Sequence, residues 1–180
     1  MSLPVNSLSE GEIPDDESSV VFDSDEESTK DYRPGGYHPV QLHEMFLNRY
    51  IVVQKLGWGP FSTVWLCKDT KYNTYVAMKV QKSAPNYTEA AYDEIDILLK
   101  VSNSYKDSLW LESCVNYFDK DEAEKIRSEP TREHCFVVQL LNSFMHQGPN
   151  GKHVCMVFEI LGVNLLEIIK RYNYKGVRDI

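Results

Sequence analysis

The amino-acid sequence predicts an α+β fold, in which a five-stranded antiparallel sheet carries one packed helix and follows a disordered acidic tail. Three β-branched segments lie between residues 50 and 80, and their connections are shorter than the roughly dozen residues that a parallel crossover needs. An apolar stripe of helical period follows, and two more apolar segments surround a Gly-Pro-Asn-Gly turn. The 180 residues, of which 42% are hydrophobic, suffice for one domain with its own core.

Charge separates the first 31 residues from the rest of the chain. Residues 1–31 contain ten acidic residues and one lysine, whereas the remaining 149 residues contain 17 acids and 18 bases. A segment so acidic and so poor in apolar residues cannot offset the entropy cost of becoming ordered. The sequence therefore predicts a disordered tail over residues 1–31 and an ordered domain over residues 32–180.

Composition also excludes several classes of function. No apolar run approaches the roughly 18 residues of a membrane span, and the N-terminus has no secretory signal, so we expect a soluble intracellular protein without membrane contact. The four cysteines and five histidines lack the spacing of metal ligands, so no metal site is predicted. No basic patch indicates direct contact with nucleic acid.

The first half of the predicted domain consists of a meander and a helix. The turn-rich segment 32–39 leads into strands at Tyr50–Leu56, Phe61–Lys68 and Tyr75–Val80. Alternation along the second strand places Phe61, Thr63, Trp65 and Cys67 on one face. The helix is predicted over Thr88–Val101, where an apolar stripe is formed by Ala91, Ile95, Leu98 and Val101.

The second half contains an irregular segment and two more strands. Residues 102–133 are densely charged around 119–127, and a loop of this length is unusual inside a compact domain, so we interpret the segment as a partly helical insertion. Strands are predicted at Cys135–Leu141 and His153–Phe158, with a turn at Gly148–Gly151 between them. Helical spacing returns after Gly162 in Leu165, Leu166, Ile168, Ile169 and Tyr172.

The glycine-rich segment Leu56-Gly57-Trp58-Gly59-Pro60-Phe61-Ser62-Thr63-Val64 is the first candidate for binding chemistry. Backbone N–H groups in such a turn can hold phosphate oxygens, although glycine-rich hairpin turns are also common for conformational reasons alone. A dinucleotide-binding loop would open a helix, whereas a strand follows here. A Walker loop would end in Gly-Lys-Ser/Thr, which is absent.

Lys79 and Glu94 supply the second candidate feature. A lysine on a strand is usually a solvated charge, but one that points beneath the glycine-rich turn must be neutralised. Glu94 borders the apolar stripe of the helix and could supply the counter-charge. At a separation of ~4 Å and an effective dielectric constant near 20, the attraction is about 4 kcal/mol, which offsets partial desolvation.

In this order, the motifs resemble the N-terminal lobe of eukaryotic protein kinases: a glycine loop, the strand Val76-Ala77-Met78-Lys79 and a helix-borne Glu94. Further segments resemble the serine/arginine-protein kinases, namely Gly35–Pro39, Leu56–Leu66, Tyr87–Glu89 with Asp93–Ile95, and Met156–Gly162. The resemblance covers about residues 32–101 and 135–178. It implies that the sheet is followed by a hinge and the first helix of a larger lobe.

The resemblance also implies an ATP site. The backbone of Gly57–Ser62 would cover the phosphates, Lys79 would hold the α- and β-phosphates, and Phe158 would close the back of the pocket. The carbonyl of Glu159 and the amide of Leu161 would bind the adenine edge, beneath an apolar roof of Leu56, Val64 and Ala77. The complete predicted set is Leu56, Gly57, Trp58, Gly59, Pro60, Phe61, Ser62, Thr63, Val64, Ala77, Lys79, Glu94, Phe158, Glu159 and Leu161.

Two departures from the kinase pattern lie inside the glycine loop. Ser62 occupies the position of the third glycine, as is usual in the serine/arginine-protein kinases. Pro60 stiffens the loop and removes one N–H donor.

A larger departure is the absence of the H-R-D-x-x-x-x-N and D-F-G motifs from the sequence. These motifs hold the catalytic aspartate and the ligands of Mg²⁺, and the surroundings of Asp179 match neither of them. No catalytic residue and no metal ligand are therefore predicted, the larger lobe is expected to be absent, and the chain is expected to be inactive alone.

The function implied by the resemblance is transfer of phosphate from ATP, with Mg²⁺, to serines of arginine/serine-rich splicing factors. The implied protein acts as a monomer in the cytoplasm and nucleus. The alternative is a non-catalytic module of the pseudokinase type, which binds ATP or another protein as a scaffold. That alternative remains open from the sequence alone.

Overall fold

The computed structural model of the protein describes residues 27–113, 117–131, 134, 137–162 and 165–176. Its strands form one antiparallel sheet of six strands in the order β1-β2-β3-β4-β6-β5. The elements are β1 (Met45–Phe46), β2 (Tyr50–Gly59), β3 (Ser62–Asp69), β4 (Thr74–Gln81), α1 (Pro85–Ser102), α2 (Ser108–Ser113), α3 (Lys120–Ser128), β5 (Leu140–Gly148), β6 (Gly151–Phe158) and α4 (Leu165–Arg171).

The predicted three-stranded meander is present as β2, β3 and β4. β2 extends to Gly59, three residues beyond its predicted end, because Gly57, Trp58 and Gly59 pair with β3. The glycine loop is therefore the tip of the β2–β3 hairpin. Two irregularities in the pairing of β2, between Val52 and Gln54 and between Lys55 and Gly57, add local bending to this hairpin.

The sheet buries side chains on both faces. The predicted alternation along β3 is confirmed for Thr63, Trp65 and Cys67, which are buried, whereas Phe61 at the loop tip is exposed. On this face the core consists of Phe46, Tyr50, Val52, Trp65, Cys67, Val76, Met78, Val80, Cys155 and Val157. On the other face, α1 packs through Ala91 and Ile95 against β6.

Helix α1 is longer than predicted. It begins at Pro85, three residues before the predicted start, because proline is well tolerated in the first turn of a helix. Ala91 and Ile95 are buried as predicted, but Val101 is 37% exposed, so the apolar stripe loses its contact with the sheet in the last turn. Glu94 lies beside this stripe and is partly buried, at the seam between helix and sheet.

The strands near the C-terminal end differ from the prediction. β5 covers Leu140–Gly148 rather than 135–141, and residues 135 and 136 lie outside the described part. β5 is an edge strand that pairs with β6 within the described part of the sheet. Because it contains several polar residues, an apolar run does not predict it. β1 is only two residues long and was not predicted, so the sheet has six strands instead of five.

Residues 27–31, the last five of the predicted acidic tail, lie in the described part of the chain. They include the 3₁₀-helix Thr29–Asp31, and the acidic side chains of Glu27 and Asp31 pair with Lys55 and Lys82 of the sheet region. These ion pairs neutralise two of the ten acidic side chains in residues 1–31. Residues 1–26 lie outside the described part of the chain.

The segment predicted to be partly helical contains the 3₁₀-helix Ser104–Lys106 and the helices α2 and α3. Asp119 caps α3 by accepting a hydrogen bond from the amide of Glu122 at 2.9 Å, and Ala123 and Ile126 bury the inner face of that helix. No helix in the described ranges is both long enough and apolar enough to cross a bilayer.

Candidate functional site

A cavity of about 350 Å³ lies between the tip of the β2–β3 hairpin, strand β4 and helix α1. One wall is formed by Gly59, Pro60, Phe61 and Ser62, because the tip of the hairpin pairs with the end of β4 through Ser62 and Gln81. The ring of Phe61 lies 5.6 Å from that of Tyr87, which connects the loop tip to the first turns of α1. The full lining is Gly59, Pro60, Phe61, Ser62, Lys79, Gln81, Asn86, Tyr87, Ala90 and Glu94.

The ion pair predicted between Lys79 and Glu94 is present in this cavity. Lys79 on β4 places its Nζ 2.7 Å from Oε1 and 2.7 Å from Oε2 of Glu94 on α1. The side chains are 24% and 35% exposed, so neither charge is sealed from water. An ammonium group has three N–H donors, and two bonds to Glu94 leave one for an incoming anion. The pair is therefore suited to hold phosphate oxygens at the end of the cavity.

An apolar strip continues from the cavity along the same face of the sheet. Val64 lies opposite Lys79, and Ala77 lies opposite both Leu66 and Phe158 in the antiparallel registers. Directly opposite residues share a face of a sheet, so these side chains form a half-buried surface beside Lys79. A flat aromatic base fits such a surface, and its phosphates would then lie toward the glycine loop.

The structure brings six of the fifteen predicted residues together in the cavity, namely Gly59, Pro60, Phe61, Ser62, Lys79 and Glu94. Val64, Ala77 and Phe158 lie on the adjoining strip. Gly57 lies on β2 opposite Val64, with open space where a side chain would be, and Leu56 precedes it, half exposed, in the irregular part of β2.

Other predicted residues do not bring their side chains to the cavity. Thr63 is buried on the opposite face, where its Oγ1 accepts a hydrogen bond from Nε1 of Trp65 at 2.9 Å. Trp58 is the register partner of Thr63, and its side chain does not line the cavity. Glu159 follows β6 and is held through its carboxylate by the amide of Gln139 at 2.8 Å, while Leu161 is largely exposed.

Comparison with known proteins identifies relatives of this chain. No protein-family model matches the chain. The serine/threonine-protein kinase SRPK of Physarum polycephalum is 46% identical over 162 residues, which are 89% of this chain and 32% of that protein. The serine/threonine-protein kinase SKY1 of Saccharomyces cerevisiae is 45% identical over 88% of this chain and 19% of its own length. The chain is a homologue of the SRPK serine/threonine-protein kinases.

Two further comparisons concern a human relative and a solved structure. The human SRSF protein kinase 3 is 44% identical over 98% of the chain and 26% of its own length. The crystal structure of a kinase domain superposes with a TM-score of 0.54 and 28% identity, over 79% of this chain and 33% of that one. The α+β fold is thus that of part of a kinase domain, and the chain spans a third or less of these relatives.

The sequence pattern did not predict several residues of the site. Gln81, Asn86, Tyr87 and Ala90 complete the cavity, but their residue types carry no signal of their own. Tyr37 lies outside the cavity, yet its hydroxyl donates a hydrogen bond to the carbonyl of Gly59 at 2.8 Å. No sequence motif links Tyr37 to the glycine loop, so this hydrogen bond could not be predicted from the sequence.

One group of potential metal ligands occurs within the described residues, at the opposite end of the β5–β6 hairpin from α4. Ligand atoms of His38, Glu44 and His146 lie within 4.8 Å of one another. Nε2 of His38 is already hydrogen-bonded to Oε1 of Glu44 at 3.0 Å, and Nδ1 of His38 has no partner. A metal-ligating imidazole usually donates its other N–H to an acceptor, so the group fits a hydrogen-bonded network better than a metal site.

Proposed function

We propose that this chain is the ATP-binding part of a serine/threonine-protein kinase that phosphorylates serines in arginine/serine-rich proteins. The observation that carries the proposal is the contact of Lys79 Nζ with both carboxylate oxygens of Glu94, beneath the glycine loop. The names of the relatives, SRPK and SRSF protein kinase, support the class of enzyme and of protein substrate.

The proposed roles follow from the geometry of the cavity. The ammonium group of Lys79 attracts the phosphates, and Glu94 fixes its direction because both oxygens accept from the same nitrogen. The adenine base lies on the strip formed by Val64, Ala77 and Phe158. Backbone amides of the glycine loop cover the phosphates, with the exception of Pro60, which has no N–H.

Phosphate transfer requires groups that this sequence does not contain. Mg²⁺ would neutralise phosphate charge, but the motifs that hold it in protein kinases do not occur in these 180 residues. The residues of the cavity thus fit the nucleotide and not the metal. We assign binding and orientation of ATP to this chain, and acceptance of the substrate proton to a larger lobe outside it.

Substitution of Lys79 tests the proposal. In this 180-residue chain, Lys79→Met should weaken binding of ATP at least about tenfold, a loss of about 1.4 kcal/mol in binding free energy, because the anion loses its charged partner. Isothermal titration calorimetry with ATP measures this effect. Lys152→Met is the matched control, since Lys152 is an exposed lysine on β6 outside the cavity.

The two variants also separate the ATP-binding proposal from a scaffold that binds protein but not ATP. A module that binds only protein would show no ATP-dependent heat with or without Lys79. Equal affinity of the wild-type chain and Lys79→Met for ATP, at equal thermal stability, would contradict the assigned role of the ion pair.

A further inference from the structure

The glycine loop is anchored by a tyrosine that precedes it by 22 residues. The hydroxyl of Tyr37 donates to the carbonyl oxygen of Gly59 at 2.8 Å, and Tyr37 is only 1% exposed. Tyr37 does not line the cavity, whereas Gly59 does. The bond therefore holds the Gly59 carbonyl from the side of the loop that faces away from the cavity.

Tyr37 itself is held by groups from three parts of the fold. Its carbonyl oxygen accepts a hydrogen bond of 2.6 Å from Nδ2 of Asn150 in the β5–β6 turn. The Nζ of Lys82, which follows β4, lies 4.2 Å from the centre of its ring, a cation–π contact. Lys82 also pairs with Asp31 at 3.0 Å, so the ammonium joins the start of the domain to the tyrosine.

The turn that carries Tyr37 is tightly closed. The amide of Tyr37 donates to the carbonyl of Asp31 at 3.0 Å, and a side chain on Gly36 would place its Cβ 1.8 Å from that carbonyl oxygen. Glu27, at the start of the described chain, pairs with Lys55 on β2, the strand that leads into the glycine loop. Residues 27–37 therefore form a brace along the loop and strand β2.

The loop needs such a brace because of its composition. Among the residues that the structure describes, none lies within 4 Å of the position of a Cβ on Gly57 or on Gly59, so side-chain packing against them does not restrain these glycines. Ordering each backbone residue costs about 1–2 kcal/mol, and a loop ordered in advance does not add this cost to nucleotide binding. The Gly59–Pro60 peptide has no N–H, and its carbonyl would repel a phosphate if it turned toward the cavity.

We propose that Tyr37 is a positioning residue for the nucleotide, whose hydroxyl holds the Gly59 carbonyl and so orders the glycine loop over the cavity before ATP binds. This inference rests on the proposed ATP site. Burial raises the pKa of the Tyr37 phenol, although nearby Lys82 partly opposes the shift. The hydroxyl therefore keeps its proton at neutral pH and remains a donor.

The first measurement does not depend on ATP. Tyr37→Phe keeps the ring and removes the hydroxyl, so amide hydrogen exchange of residues 57–63 should rise about fivefold, the effect of one hydrogen bond. Exchange in β4 should stay at the wild-type rate and shows that the variant is folded. Tyr75→Phe is the matched control, because Tyr75 is half exposed on the far end of β4. Unchanged loop exchange in Tyr37→Phe would overturn the inference.

The second measurement is the affinity for ATP. Tyr37→Phe should weaken it about fivefold and Tyr75→Phe should leave it unchanged. In a two-lobed kinase that carries this chain, the loss should appear in KM for ATP rather than in kcat. Faster loop exchange with unchanged ATP affinity would show that the anchor does not serve the nucleotide, and would also overturn the inference. If the wild-type chain binds no ATP, the proposed function fails in this chain, while hydrogen exchange still decides whether Tyr37 positions the loop.

Discussion

His153 lies fully buried on β6, opposite His146 on β5. Its Nδ1 bonds to the carbonyl oxygen of Gln81 at 2.8 Å, and its ring lies 5.2 Å from that of His38. Burial lowers the pKa of His153 below its ordinary value of 6.5, and the same cause lowers the pKa of His146. Three imidazoles thus occupy a small space, with Glu44 as the carboxylate that faces His38 and His146.

This arrangement predicts a loss of stability in mild acid. Near and below pH 6.5 the unfolded chain binds protons at His153 and His146 more readily than the folded chain does, so the free energy of unfolding falls as the pH falls through this range. Urea unfolding at about pH 7.5 and about pH 5.5 measures the difference. His153→Gln should reduce the dependence on pH, whereas His43→Asn, at an exposed histidine, should not. Equal stability at both pH values would contradict this prediction.

Individual residues differ in how far the sequence could predict them. Lys79 and Glu94 were predicted because a lysine beneath a glycine loop needs a counter-charge, and their ion pair is confirmed. The bidentate pair of Arg49 with Asp69, at 2.8 and 2.6 Å, was not predicted, since the two side chains meet only through the β2–β3 register. Contacts of this kind depend on tertiary geometry rather than on local pattern.

At the scale of elements, β-branched composition predicted β2, β3 and β4, and helical period predicted α1. Strand ends were displaced by a few residues, because pairing extends β2 through Gly57 and Gly59, which have low intrinsic preference for strands. β5 was placed too early, because most of the apolar segment predicted at 135–141 precedes the edge strand and only Leu140 and Leu141 belong to it. β1 exists only because Met45 and Phe46 pair with β2 after a turn.

The packing of α1 against the sheet gives a prediction for an element. Ile95 is 8% exposed and lies among Val154, Met156 and Ala91, so Ile95→Ala should lower the free energy of unfolding by about 2–4 kcal/mol. Ile97→Ala, on the same helix but 60% exposed, should change it by less than about 0.5 kcal/mol. Chemical denaturation of both variants measures the contrast. A similar cost at the two positions would show that α1 does not pack through the predicted stripe.

At the scale of the whole molecule, the two faces of the sheet are covered differently. One face carries the larger core, which includes Trp65 and Met78 and gives the sheet its rigidity. The other face is shared between α1 and the open strip beside Lys79. Because α1 covers only part of that face, the same sheet that supports the helix leaves a surface for a ligand. The domain limits at residues 32–180 and the insertion at 102–133 remain predictions.

The last prediction concerns the chain as a catalyst. Its sequence lacks the aspartate that would accept the proton of a serine hydroxyl and the residues that would hold Mg²⁺, so binding ATP should not lead to transfer of its phosphate. Radiolabelled ATP and an arginine–serine peptide should give no more labelled peptide with this chain than with Lys79→Met. The same assay with the human SRSF protein kinase 3 serves as the positive control.

Transfer above the Lys79→Met background would mean that the 180 residues contain a proton acceptor that neither the motifs nor the cavity identifies. If transfer is absent while ATP binds, orientation of the nucleotide and the chemistry of transfer reside in separable parts of the kinase. The brace on the glycine loop then acts on orientation of the nucleotide and not on the chemistry of transfer. Its loss should therefore change KM for ATP and leave kcat unaffected.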